Sequence, residues 1–319
     1  MLQKQNKNLK KGSLCKNGLQ RVFLFFVFAF VSIATFASAQ PVQAAAKQST
    51  LSLTMETNKL TIALTPELNG KFGQSQNANI SVTTDNFTGY RLTITSNGGT
   101  ALVDGNGHSV ESINTAISET TFRNNASYVN KWGYKPSQYV NGNNEVVTSN
   151  TNFLPAPSTS GSLIDATSAA NSTAKTYTLS IAAKIDYGTP PGTYTRNITV
   201  AAIANDIVYS ITYNKNATGT VTNMPVTNPQ IVTIAGGTAA ASSKTTLSSA
   251  TPTRTGYDFM GWCSTTTTAD AAGSQSCSGT TYAAGADYGI DQTADGTNIA
   301  LYAIWQTHTY TVNLNGNGA

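Results

Sequence analysis

Residues 177–185 read Tyr177-Thr178-Leu179-Ser180-Ile181-Ala182-Ala183-Lys184-Ile185, so apolar side chains recur at every second position. This period of two predicts a half-buried β-strand, and threonine or serine between the apolar positions is typical of the solvent face of an antiparallel sheet. Shorter stretches with the same alternation begin at Leu60, Tyr90 and Thr193. Helical spacing of apolar residues is confined to 109–122. We therefore expect an all-β, mainly antiparallel fold with one short helix.

Turn signals separate these predicted strands. Within residues 51–205, Asn-Gly dipeptides begin at four positions, Asn69, Asn97, Asn106 and Asn141. Such pairs readily take the positive φ angles of a type I′ hairpin turn. Short strands with frequent turns predict a β-sandwich over residues 51–205. With its closing stretch Gly192-Thr193-Tyr194-Thr195-Arg196, this region is similar in a general way to Ig-like sandwiches of bacterial surface proteins, without a diagnostic motif.

The N-terminus has the pattern of an export signal. Residues 1–21 carry six basic and no acidic side chains, and an apolar run follows over 22–37. The small residues at Ala37 and Ala39 are typical of a signal-peptidase site. We expect a signal helix over 1–39, cleaved between Ala39 and Gln40.

The N-terminal region allows two alternatives to this prediction. Cleavage after Ala44 is an alternative, and residues 40–50 are expected to form a short linker. A retained membrane anchor is the other alternative, although sixteen helical residues span about 24 Å of a hydrocarbon core that is ~30 Å thick. Cys15 precedes the apolar run, whereas a lipid-modified cysteine would follow it, so we expect no lipidation.

The charge of the chain belongs to this signal. The 319 residues carry a net charge of +4, but without 1–39 they hold 13 basic and 15 acidic residues, a net charge of −2. No run of lysine or arginine remains, which argues against nucleic-acid binding. We expect contact with a membrane only through the signal segment. Charged residues are only 11% of the chain, so Ser, Thr and Asn must supply much of its polar surface.

Three segments of the second half match one pattern in order. They are Tyr209-Ser210-Ile211-Thr212-Tyr213-Asn214, Pro252-Thr253-Arg254-Thr255-Gly256-Tyr257-Asp258-Phe259-Met260-Gly261-Trp262 and Leu301-Tyr302-Ala303-Ile304-Trp305. Together they resemble the internalin-type B repeat, also called the Listeria–Bacteroides repeat. Its hallmarks are an opening Y-x-I/V-x-Y/F-N, a central P-x-R-x-G-Y-x-F-x-G-W and a closing L-Y-A-x-W.

The resemblance implies a compact β-grasp-like domain over 206–307. In that family the repeat serves in surface proteins as a spacer or adhesive module, and it brings no catalytic residue. The matching positions are therefore expected to be structural: Tyr209, Tyr213, Pro252, Arg254, Gly256, Tyr257, Phe259, Gly261, Trp262, Leu301, Tyr302 and Trp305. The pattern starts again at Tyr310, 101 residues after Tyr209, so we expect residues 308–319 to be the first strand of a truncated second repeat.

The repeat carries insertions over 223–249 and 263–295 relative to the family pattern. The second insertion contains Cys263 and Cys277, the two cysteines that follow the signal. An even pair this close in an exported protein predicts a disulfide. Two free thiols are the alternative.

Enzyme motifs are absent from the sequence. The chain has two histidines, and it lacks G-x-S-x-G, G-x-x-x-x-G-K-[ST] and H-E-x-x-H patterns. Residues 104–108 could be taken for a metal loop, but Asp-Gly and Asn-Gly are common in turns, and a turn is our interpretation. We expect no cofactor and no metal.

The sequence thus predicts a non-catalytic, exported cell-envelope, cell-surface or secreted protein, acting as adhesin, spacer or partner-binding module. Its partner would be a surface protein or glycan of a host or neighbouring cell, or its own cell wall. The alternative is the carbohydrate-binding part of an exported glycan-degrading enzyme. Trp132, Tyr134 and Tyr139 are the candidate glycan-binding residues, because aromatic faces stack on sugar rings; a core role for Trp132 is the other interpretation.

Overall fold

The structure, a computed structural model, describes residues 47–236, 244–270, 273–293 and 298–314. The predicted signal segment 1–39, with its cleavage site at Ala39 and Gln40, lies outside the described residues. Within the described ranges, no helix has the length and apolar character that a membrane crossing requires.

The first half of the described chain is built almost entirely of strands. In chain order they are β1 (Leu51–Met55), β2 (Lys71–Gln74), β3 (Ala78–Thr84), β4 (Tyr90–Asn97), β5 (Leu102–Val103), β6 (Ser109–Ser112), β7 (Ile117–Ser118), β8 (Lys131–Pro136), β9 (Tyr139–Val140), β10 (Val146–Val147), β11 (Asn152–Phe153), β12 (Ser162–Ala166), β13 (Asn171–Ile185) and β14 (Asn197–Ala204). Helix α1 (Glu119–Asn124) and a 3-10 turn (Ala126–Tyr128) interrupt them. One short helix is present, but most of the 109–122 stretch predicted to be helical is not: it holds β6 and β7, and only its last four residues belong to α1.

Two sheets pack face to face in this half. The larger has the strand order β1-β3-β13-β8-β6-β5, with β2 paired to the far end of β13, and the smaller has the order β12-β4-β14. Side chains from both sheets form one core, with Ile80, Tyr177 and Trp132 from the larger sheet and Leu92 and Ile94 from the smaller. Nearly all pairings are antiparallel, so the all-β, sandwich-like prediction is confirmed.

Strand β13 differs from its prediction on one face. Its apolar positions face the sandwich core as expected, but Ser180, Ala182 and Lys184 on the other face are also buried. Ala182 packs in a second cluster with Phe122 of α1, which lies over this end of the strand, and with Phe72 of the neighbouring strand β2. A strand covered on both faces cannot be half-exposed, so the prediction of a solvent face was wrong here.

Two local predictions also fail. Leu60, Ile62 and Leu64 pack on the core at alternate positions, but their backbone belongs to no strand. The Asn-Gly turns are not type I′, because that turn needs positive φ at both central residues. Gly70, Gly98 and Gly107 have positive φ, whereas the asparagines before them do not, and the turn near Asn141 places Asn144 rather than glycine in the left-handed region.

The second half adds further strands. They are β15 (Ile207–Asn214), β16 (Gln230–Ile234), β17 (Lys244–Thr246), β18 (Tyr257–Cys263), β19 (Thr268–Ala269), β20 (Gln275–Ser276), β21 (Thr281–Tyr282), β22 (Asp287–Gly289) and β23 (Asn298–Thr307). The main sheet has the order β16-β15-β23-β18-β21. Its central strands β15 and β23 are parallel and the flanking pairs are antiparallel. This order and direction match the β-grasp-like sheet that the resemblance implied.

A disulfide between Cys263 and Cys277 closes the second insertion. The insertion forms the β19–β20 hairpin, which lies along the part of β23 that β15 is too short to cover. There Gln275 Oε1 accepts from Trp305 N at 3.2 Å, and Ser274 Oγ accepts from Thr307 N at 3.1 Å. The hairpin thus satisfies an edge of the sheet that would otherwise be open to pairing with another chain.

Residues 308–314 follow β23 and are not in a strand. Tyr310, Val312 and Leu314 are each more than three-quarters exposed. Residues 315–319 lie outside the described residues, so the second repeat stays a prediction.

The chain passes between the two halves at Asn205, where hydrogen bonds hold the backbone. The Asn205 side-chain amide donates to Thr88 O at 2.6 Å and to Thr167 O at 2.7 Å. In return, the buried Asn86 side chain donates to Asn205 O at 2.9 Å. The connection is therefore an ordered joint rather than a flexible linker.

Candidate functional site

The aromatic residues of the repeat motif build the core of the second half. Trp262 on β18 and Trp305 on β23 are fully buried, and Phe259 packs edge-on against both, with ring centroids 5.1 and 5.8 Å away. Tyr213 on β15 lies 4.8 Å from Trp262. Each large ring removes roughly 150–250 Å² from water, so a few rings suffice to stabilise a small domain.

A tight turn leads from the motif's proline into β18. Thr253 pairs with Thr222 through two backbone hydrogen bonds of 3.0 Å, and Tyr257 N donates to Arg254 O at 3.1 Å. Gly256 has φ = 79° while Thr255 before it does not have positive φ, which is the pattern of a type II turn. A side chain at Gly256 would be strained, so the motif's glycine is explained by the turn.

The turn fixes the side chain of Arg254. Its guanidinium carbon lies 3.6 Å from the centroid of the Tyr257 ring and 6.0 Å from that of Trp305. Stacking on an aromatic face leaves the N–H groups along the guanidinium edge free to donate. Among the described residues, no carboxylate or carbonyl accepts from them. Arg254 is therefore held in place by packing, and no residue that the structure describes accepts from its guanidinium.

These residues border an open cleft of about 540 Å³. Its walls come from three segments: 220–222, the turn and start of β18, and the residue after β23. The lining residues are Thr220, Thr222, Thr251, Pro252, Thr253, Arg254, Thr255, Gly256, Tyr257, Asp258, Phe259 and His308. The five threonines are exposed, and the rings of Tyr257 and Phe259 are half-buried.

Besides Arg254 and Tyr257, two titratable side chains line this cleft. His308 Nε2 lies 3.0 Å from Asp258 Oδ1, and His308 N donates to Gly256 O at 3.0 Å. Asp258 is thus engaged by His308 and makes no ion pair with Arg254. The cleft thus combines a cationic fork, hydroxyl groups and a carboxylate, which together can bind a polar ligand.

The sandwich residues predicted to bind a glycan are placed differently. Trp132 is 2% exposed and its Nε1 donates to Thr100 O at 2.8 Å. Tyr134 is also buried, and burial raises its pKa to about 12. Tyr139 is half-buried against the same core. Trp132 and Tyr134 offer no ring face on which a sugar could stack.

A buried acid in the sandwich had no signal in the sequence. Asp165 Oδ2 accepts from Lys175 Nζ at 2.6 Å and from Tyr177 OH at 2.5 Å, and the Tyr177 hydroxyl also contacts that of Tyr90. Burial raises the pKa of Tyr177 and of Tyr90. A glycosidase needs a second carboxylate some 5–9.5 Å away. This network contains none, and its aromatic and ionic contacts fit a structural role.

The 104–108 loop forms the β5–β6 hairpin turn. Asp104 Oδ1 accepts from the backbone N of Asn106 and of His108, and Asp104 Oδ2 lies 2.8 Å from His108 Nδ1. The hydrogen bond from the His108 side chain lowers the pKa of Asp104. No group of three or more His, Cys, Asp or Glu side chains that could hold a metal occurs in the part of the chain that the structure describes.

Sequence reasoning assigned Arg254, Tyr257 and Phe259 structural roles and missed that they border a cleft. Thr220, Thr222 and His308 had no motif that could have placed them there, because they come from separate segments. The unusual number of threonines around residues 251–255 is the one local signal that could have suggested a hydroxyl-rich surface.

Comparisons with known proteins give little more. No protein-family model matches this chain, and no curated protein matches it. Among solved structures, the chain is similar to a family 123 glycoside hydrolase from Clostridium perfringens, studied for glycolipid glycan hydrolysis. The identity is 14% and the TM-score 0.21, and the match covers 48% of this chain and 24% of that one. A likeness at this level carries no argument about function.

Proposed function

We propose that this protein is a non-catalytic, exported surface protein whose second half is a binding module of the internalin-type B repeat kind. The observation that carries the proposal is the cleft at the repeat motif, where Arg254 stacks on Tyr257 and donates to no acceptor among the described residues. A spacer that only separates other domains does not need an arginine whose N–H groups are free to donate. A binding module can use such an arginine to hold its partner.

Three features support this reading. The disulfide between Cys263 and Cys277 suits an oxidising, extracytoplasmic environment. The hairpin that it closes covers a sheet edge, which limits uncontrolled association outside the cell. The exposed surface of the cleft is formed largely by threonines, consistent with the low charge of the chain.

Binding and turnover can be measured together on the purified full chain. Labelled protein is incubated with host cells, neighbouring bacteria and isolated cell walls, and soluble products are analysed in parallel. We expect saturable binding to at least one surface without release of sugar or peptide fragments. Fragment release at enzyme-like rates would favour the alternative, the carbohydrate-binding part of a glycan-degrading enzyme; absence of binding to every surface would refute the proposal.

A further inference from the structure

We infer that the cleft around Arg254 binds the carboxylate of an acidic sugar, such as a uronic or sialic acid within a surface glycan. This inference rests on the proposed function and names the ligand class of the same site.

The Arg254 guanidinium is suited to bind a carboxylate. An arginine fork matches the two oxygens of a carboxylate, and such charge-assisted pairs are stronger than neutral hydrogen bonds. No described residue occupies this fork in Arg254, and the guanidinium carbon is packed 3.6 Å from the Tyr257 ring centroid, which restrains the group. Little side-chain freedom is lost on binding, so the site is preorganised for an anion.

The rest of the lining identifies the anion as a sugar. Thr220, Thr251 and Thr255 are exposed and their hydroxyls have no protein partner among the described residues. The Asp258 carboxylate is 68% exposed and can accept from ligand hydroxyls. Hydroxyl and carboxylate groups around one fixed cation match a polyhydroxylated ligand that carries a single acid group.

An acidic peptide fits these groups less well. The Thr222 and Thr253 backbone groups are already paired with each other at 3.0 Å, so this wall offers no free strand edge for a peptide backbone. The half-buried Phe259 ring is packed against two tryptophans and forms no deep apolar pocket for a side chain.

The test uses an array of glycans that carry uronic or sialic acid, each beside a neutral counterpart, together with oligogalacturonate and its methyl ester. Methyl esterification removes the charge and leaves the sugar ring intact. We expect binding to acidic members and a loss of about tenfold or more on esterification, the range for hydrogen bonds to charged groups.

Three variants test whether the binding depends on the Arg254 guanidinium. Arg254→Gln removes the fork and is expected to lower the affinity about tenfold to hundredfold. Arg91→Gln removes the same charge from an exposed position on β4 and is expected to change nothing. Arg254→Lys keeps the charge but not the fork, and should bind weakly. Circular dichroism and melting curves confirm that each variant is folded.

Each other outcome overturns the inference. Equal binding to the neutral counterparts, or binding to oligogalacturonate that survives its methyl esterification, would exclude a carboxylate. Arg254-dependent binding to acidic peptides alone would exclude a sugar. Binding to cells without binding to any acidic glycan would overturn the inference and leave the proposed function standing. Binding to neither would overturn both.

Discussion

Trp262 and Trp305 provide a matched pair for testing the energetics of the second core. Both indoles are fully buried in the same cluster. Trp305 Nε1 donates to Lys215 O at 2.9 Å, whereas Trp262 Nε1 is buried with no partner among the described residues. Replacing each with phenylalanine removes a similar amount of apolar surface. The two variants therefore differ mainly in what happens to the N–H group.

The magnitudes follow from that difference. Lost burial and the small cavity cost about 1–2 kcal/mol in either variant. Trp305→Phe also loses a hydrogen bond with a net value of about 1 kcal/mol, giving a total of about 2–3 kcal/mol. Trp262→Phe instead removes an unpaired N–H whose burial costs about 1–3 kcal/mol, so the net change is expected to lie near zero.

Urea unfolding of the oxidised chain, followed by the fluorescence of the remaining tryptophans, measures both free energies. We expect Trp305→Phe to be less stable than Trp262→Phe by about 2 kcal/mol, with equal m-values. If Trp262→Phe is destabilised as much as Trp305→Phe, the unpaired N–H does not carry the cost assigned to it, and the reasoning is refuted.

Three further predictions concern other parts of the molecule. Replacing Cys263 and Cys277 with serine should lower the free energy of unfolding by about 3 kcal/mol, the chain-entropy value for a loop of this size, and an unchanged urea midpoint would contradict it. Asp165→Ala should cost about 1–3 kcal/mol, because the buried Tyr177 hydroxyl loses its acceptor while the half-exposed Lys175 ammonium can turn to water; unaltered stability would show that the network is dispensable. Burial raises the pKa of Tyr134 to about 12 from the ordinary 10.0, so the unfolded chain ionises first and stability should fall as pH rises through this window. Tyr134→Phe should weaken that pH dependence, and an identical alkaline profile would contradict the assignment.

The strands could be predicted from the sequence where the alternation of apolar side chains reflects one strand face that packs on the core. Alternation at Tyr90–Asn97 and at Tyr177 gave strands, because one face of each packs on the sandwich core. It failed at Leu60–Leu64, where the side chains pack as expected but the backbone has no neighbour with which to pair. It also failed for the second face of β13, which α1 covers from elsewhere in the chain.

The candidate site was harder to predict for the same reason. The motif places Arg254 and Tyr257 close together in sequence, and their spacing predicts only a structural role for them. The cleft exists because Thr222 pairs with Thr253 and because His308 returns beside Asp258 after β23. Contacts between segments that are distant in sequence produce no periodic pattern of residues, so the sequence alone does not predict them.

The claim that the repeat cleft is the binding site can be tested in one comparison. The purified full chain, Arg254→Gln and Arg91→Gln are titrated side by side onto the cell or cell-wall surface that the wild type binds. The account predicts saturable binding for the wild type and Arg91→Gln, and a loss of about tenfold or more for Arg254→Gln. Equal binding by all three proteins would contradict it.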